Sequence, residues 1–141
     1  MLLRLIKYPL LTLGIFLLTA CHSNNDDDLC CAYPVTLQGN WSLTHVQGGF
    51  AGVDDTITHG LIIWHFNTET HTVTVTNNNT DDTILYDGLE SGSYTYDIVT
   101  ENDAQYLHIQ SNDFGRLAYT AFQLTLDGNM GADGFLLTFK R

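Results

Sequence analysis

The chain has 141 residues, 44% hydrophobic and 15% charged, and its 16 acidic against 5 basic side chains give a formal net charge of −11. Such an acidic excess repels phosphate backbones and anionic headgroups, which excludes nucleic acid as a natural partner and argues for cationic partners where partners are charged. The length suits one ordinary domain and leaves no room for a second.

At the start, Arg4 and Lys7 precede an apolar run from Leu10 to Leu18, which ends in Leu18-Thr19-Ala20-Cys21. A charged segment, a short apolar stretch and a small residue before a cut site form a secretory pattern, and the run is shorter than the ~20 residues that span a bilayer. Pro9 and Gly14 also interrupt it as a helix. The order resembles the signal and lipobox of a bacterial lipoprotein. That resemblance implies removal of residues 1–20, acyl chains on Cys21, and an address at the bacterial outer membrane, lipid-anchored on the periplasmic or cell-surface side. Several acyl chains, at ~0.8 kcal/mol per buried methylene, make such an anchor permanent. Arg4 and Lys7 would leave with the signal, so that Arg116, Lys140 and Arg141 alone oppose the 16 carboxylates.

Residues 21–36 are expected to form a lipidated acidic tether. His22 to Asp28 is polar throughout and has nothing with which to begin a core. In one group of Gram-negative bacteria a short acidic run after the lipidated cysteine resembles an export signal to the outer leaflet; the alternative is a solvated spacer in the periplasm. Cys30 and Cys31 are neighbours, and the strain of a bond between adjacent cysteines leaves them free or paired between chains. His22 and the aspartates supply too few ligands for a metal there, and neither a metal nor a cofactor is expected.

From Gly39 onward apolar and polar residues alternate, with turn residues at short intervals, the pattern of half-buried antiparallel strands. Trp41, Leu43 and His45 share one face of a first strand, and Ile62, Trp64 and Phe66 one face of a second. Val73 and Val75 alternate with threonines in a third, after a turn at Asn67 to Thr70. Tyr94, Tyr96 and Ile98 mark a fourth, and Leu107 and Ile109 a fifth. A turn at Asn112-Asp113-Phe114-Gly115 leads to a short sixth around Arg116 to Tyr119. Phe122, Leu124 and Leu126 form the inner face of a seventh, and Phe135, Leu137 and Phe139 that of an eighth. The expected fold for residues 37–141 is all-β, an eight-stranded up-and-down antiparallel barrel, because closure removes the exposed edges of such a sheet. A two-sheet β-sandwich is the alternative.

The strand count and Gly39-Asn40-Trp41 at the head of the first strand resemble the lipocalin-like domains of bacterial outer-membrane lipoproteins. Similarity continues along Gly48 to Gly52, Asp87 to Gly92 and Ala132 to Phe135, so the resemblance covers about residues 37 to 141. It implies that a basic residue from the end of the barrel, Lys140 or Arg141, packs over the Trp41 indole and closes one end. Stacking of the Arg141 guanidinium would contribute ~0.5 to 2 kcal/mol.

An eight-stranded barrel holds side chains or one small ligand. His45, Trp64, Phe66, Tyr94 and Tyr96 are therefore candidate ligand-lining residues, His45 on the inner face toward the mouth. The connections from Gly48 to Gly60 and from Asn77 to Ser91 are long enough to be functional loops. Their aspartates lack the spacing and closing glutamate of an EF-hand. The histidines lack zinc-hydrolase spacing, and neither a nucleophile elbow nor a phosphate loop is present, so no catalytic residue is assigned and an enzyme is not expected. Two functions then compete. One is a lipid-anchored barrel carrying a small apolar ligand, an expectation that a side-chain-filled interior would remove. The other is a packed barrel that binds a protein or glycan through Phe50, Ile57, Leu85 and Tyr86.

Overall fold

The computed structural model describes residues 33–141; the expected signal, Cys21, the acidic run of the tether, Cys30 and Cys31 lie outside the described residues. The strands are β1 (Gly39–Gly48), β2 (Val53–Thr56), β3 (Ile62–Asn67), β4 (Thr72–Asn77), β5 (Gly92–Glu101), β6 (Ala104–Ile109), β7 (Asn112–Tyr119), β8 (Gln123–Asp127) and β9 (Phe135–Lys140). All pairings are antiparallel, and β9 returns to pair with β1 from Ser42 to Gly48. β3 pairs with Gly39 to Ser42 and β2 with His45 to Gly48, so these two segments form one stave interrupted by residues 57–61. Nine segments thus make eight staves. Residues 33–141 form an all-β, eight-stranded, up-and-down closed barrel, and the β1–β9 pairing rules out an open sandwich.

Alternation explains most of the wall. Ile62, Trp64 and Phe66 of β3, Val73 and Val75 of β4, Leu107 and Ile109 of β6, Leu124 and Leu126 of β8, and Leu137 and Phe139 of β9 all turn inward and are buried. Thr74 and Thr76 face outward on β4, where β-branched side chains suit a pleated surface. Two hairpins use left-handed pairs, Asn102-Asp103 (φ 47° and 62°) and Gln110-Ser111 (φ 50° and 66°), whose twist matches that of the strands.

Four local expectations are corrected. The turn before β7 lies at Gln110-Ser111, and Asn112 to Gly115 is strand; Gln-Ser is not a pair whose composition announces such a turn. Phe122 sits in the β7–β8 connection and is 58% exposed, because the chain reverses there before β8 begins. β2 was not foreseen, since Val53-Asp54-Asp55-Thr56 has adjacent acids and no clear alternation. Finally, the register between β1 and β9 shifts between Leu43 and His45, leaving Thr44 as an extra residue. This bulge turns Val46 inward and places His45 on the outer face, so His45 does not line the interior.

Candidate functional site

Starting with the interior, Trp41 and Trp64 are register partners on β1 and β3, and both are fully buried. The Trp64 ring lies 5.1 Å from Phe139, 6.0 Å from Phe114 and 6.2 Å from Phe66, while Phe66 meets Tyr96 edge-on at 5.3 Å. These rings occupy the space that an eight-stranded wall encloses. Burial of the Tyr96 phenol, with Tyr119 nearby, raises its pKa above the usual 10.0. Tyr94 stands higher on β5, and its hydroxyl donates to the Glu90 carbonyl at 2.9 Å. Trp64 Nε1 is buried with no partner among the described residues.

The base of the barrel, where β1 begins, is closed by a clamp. Leu37 is buried, and its carbonyl accepts a 2.8 Å bond from Trp41 Nε1. The Arg141 guanidinium lies 4.0 Å from the Trp41 ring centroid and donates to the carbonyls of Thr36 (2.7 Å), Gln38 (2.6 Å) and Ala121 (3.3 Å). Beside it, Tyr33 packs edge-on against Phe122 at 5.1 Å. Residues 33–36, the described part of the expected tether, therefore reach the barrel at this end.

The opposite end, the mouth, is built by the β1–β2 turn, the β4–β5 loop, the β6–β7 turn and the β8–β9 connection. Gly48 (φ 110°) and Gly49 (φ 67°) let the first turn approach its neighbours: a Cβ on Gly48 would lie 2.8 Å from Met130 Cγ, and one on Gly49 2.7 Å from the Phe135 ring. Phe135 in turn stacks on Tyr86 at 4.2 Å and 12°. Burial, then the Asp87 charge, raises the Tyr86 pKa above the usual 10.0. Asp87 Oδ2 accepts bonds from Asn77 Nδ2 (3.1 Å) and Asn79 Nδ2 (2.9 Å), which hold the long loop against β4. In the same loop, bonds donated by the hydroxyl and backbone N–H of Thr83 hold the Asp81 carboxyl below its usual 3.8.

In the segments that build this end, three large apolar side chains face solvent: Phe50 (94% exposed), Leu85 (69%) and Met130 (42%). A cleft of about 210 Å³ opens at the same end between Tyr86, Phe114, Phe135 and Leu137. That is below the ~300 to 1,000 Å³ typical of small-molecule sites. Ile57, grouped with Phe50 and Leu85 from the sequence, is instead buried under the interruption between β2 and β3. There Ser42 Oγ accepts a 2.7 Å bond from Gly60 N–H, and Thr44 O one of 2.9 Å from Ile57 N–H.

The candidate residues thus separate. Trp64, Phe66 and Tyr96 meet in the packed interior, Tyr94 bonds to a loop carbonyl, and His45 pairs with Asp54 (Nε2 to Oδ1, 2.6 Å) on the outer wall. That wall carries an open cleft of about 380 Å³ lined by Thr44, His45, His59 and Lys140. Met130 and Phe135 were missed as mouth residues: their place beside Gly48 and Gly49 follows from barrel closure, although the glycine pair gave a local hint of close approach. Among the described residues no group of three or more His, Cys, Asp and Glu is arranged to hold a metal ion. Comparison of the chain with protein-family models, with curated proteins and with solved structures finds no match.

Proposed function

We propose that this chain is a lipid-anchored lipoprotein of the bacterial outer membrane whose lipocalin-like barrel is a non-enzymatic interaction module that presents its mouth to a protein or glycan. One observation carries the reading: Trp41, Trp64, Phe66 and Phe139 fill the interior with no exposed surface, whereas Phe50, Leu85 and Met130 are exposed in the loops of one end; Tyr33, Val35 and Phe122, exposed at the other end, lie where the tether enters. Apolar surface left outside a packed domain marks a place of contact. The lipobox resemblance at Cys21 supports the anchor, and the described chain enters at the base, away from the mouth. Carriage of a small apolar ligand is the second reading, favoured by Trp64 Nε1, which has no partner among the described residues, and by the mouth cleft.

Palmitate labelling and membrane fractionation test the anchor. The full chain is expected in labelled, detergent-extractable form, and Cys21→Ser unlabelled with its signal uncut; labelling that survives Cys21→Ser removes the lipoprotein reading. A photo-crosslinker at position 50, compared with one at His65 on the outer wall, tests the module in intact cells. Adducts specific to position 50 support it. A stoichiometric small molecule in native mass spectra of the purified chain would instead establish carriage.

A further inference from the structure

Charge is distributed unevenly over the barrel. Setting aside Asp26, Asp27 and Asp28, 13 of the 16 carboxylates belong to residues 33–141, and nine of these lie in residues 48–56, 78–91, 110–115 and 127–134, the segments that build the mouth. The same segments contain no lysine or arginine. Arg116, the nearest base, stands on the wall in register with Asp127, while Lys140 and Arg141 lie toward the base and Arg141 is engaged by Trp41 and backbone carbonyls. Of these nine, Asp54 pairs with His45 on the outer wall and Asp113 stands 4.0 Å from His108, while the other seven share the mouth segments with Phe50, Leu85 and Met130.

We propose that the mouth binds a cationic, amphipathic protein segment, with its basic side chains on the carboxylate rim and its apolar face on Phe50, Leu85 and Met130. This rests on the interaction-module reading and names the partner's chemistry. Charge complementarity selects this occupant: a second copy would oppose one acidic rim with another, and an anionic bilayer would be repelled likewise. Because no three acids converge on a metal-holding point among the described residues, the rim suits several separated positive charges better than one ion. The surface is also held ready, since Asn77 and Asn79 fix Asp87, and the Tyr86–Phe135 stack fixes the loop beneath Leu85.

The test uses the purified mature chain, residues 21–141 with Cys21→Ser, and three fluorescent probes: an amphipathic leucine–lysine peptide, its leucine–glutamate counterpart and oligolysine. Anisotropy should show binding of the leucine–lysine peptide, weakened by salt, and none of the leucine–glutamate peptide. Phe50→Ser with Leu85→Ser should weaken that binding at least about tenfold, equivalent to ~1.4 kcal/mol. Circular dichroism should show an unchanged fold, because both side chains are mostly exposed. Equal binding of oligolysine, or binding indifferent to the Phe50 and Leu85 substitutions, would overturn the proposal. So would Phe50-dependent binding to phosphatidylcholine vesicles or Phe50-dependent dimerisation in sedimentation. If position 50 captures a protein in cells while the leucine–lysine peptide fails to bind, the module stands and the proposed partner chemistry falls.

Discussion

Arg141 holds a position where one guanidinium serves an indole face and three backbone carbonyls. Its setting is partly solvated, so Arg141→Ala is expected to cost about 1 to 2 kcal/mol, measured by urea denaturation. Arg141→Lys should recover little of that, because an ammonium lacks the planar fork. The two tryptophans offer a sharper comparison. Trp41→Phe removes the bond to the Leu37 carbonyl, whereas Trp64→Phe removes a donor without a partner among the described residues. Both open a cavity, but Trp41→Phe should be the more costly by about 1 kcal/mol. Equal losses would mean that Trp64 Nε1 has a partner, such as a buried water.

At the scale of an element, the Thr44 bulge matters most. β1 pairs with β3 before it and with β2 after it, and the detour through residues 57–61 lies opposite. Deleting Thr44 would leave Trp41, Leu43 and Val46 in simple alternation, while removing the bond that Thr44 O accepts from Ile57 N–H and the one that Thr44 Oγ1 donates to Thr138 O. The deletion is therefore expected to fold, with a loss of about 1 to 3 kcal/mol. Deleting Ser42 would turn Trp41 or Leu43 outward and should prevent folding. Thermal melts of the two deletions check the contrast. Elements were legible where the alternation is regular, as in β3, β4 and β9. β2, the bulge and the Gln110-Ser111 turn were not legible, because each owes its conformation to partners distant in the chain.

For the whole molecule, two buried or half-buried phenols give stability a defined alkaline limit. Tyr86 and Tyr96 have pKa values above the usual 10.0, through burial first and then the neighbouring Asp87 and Tyr119. In the unfolded chain these phenols ionise near 10.0, so the folded state is favoured fully below that pH, and the contribution is lost as pH rises through the folded-state values. Stability should hold to about pH 10 and fall beyond it, followed by phenolate absorbance alongside circular dichroism. Tyr86→Phe should make the decline shallower; an unchanged profile would show that Tyr86 ionises without strain on the mouth.

The amino-acid sequence by itself determined the class of the barrel and the polar or apolar side of most strand positions, because alternation is a local property of an extended chain. It also carries the lipobox resemblance at Cys21. Tertiary structure decided what closure brings together: Arg141 over Trp41, Met130 and Phe135 against the Gly48–Gly49 turn, His45 outside rather than inside, and a mouth whose loops carry both acids and exposed apolar groups. Such relations depend on strand register between distant segments, and a single added residue at Thr44 is enough to reverse which side chain meets the interior.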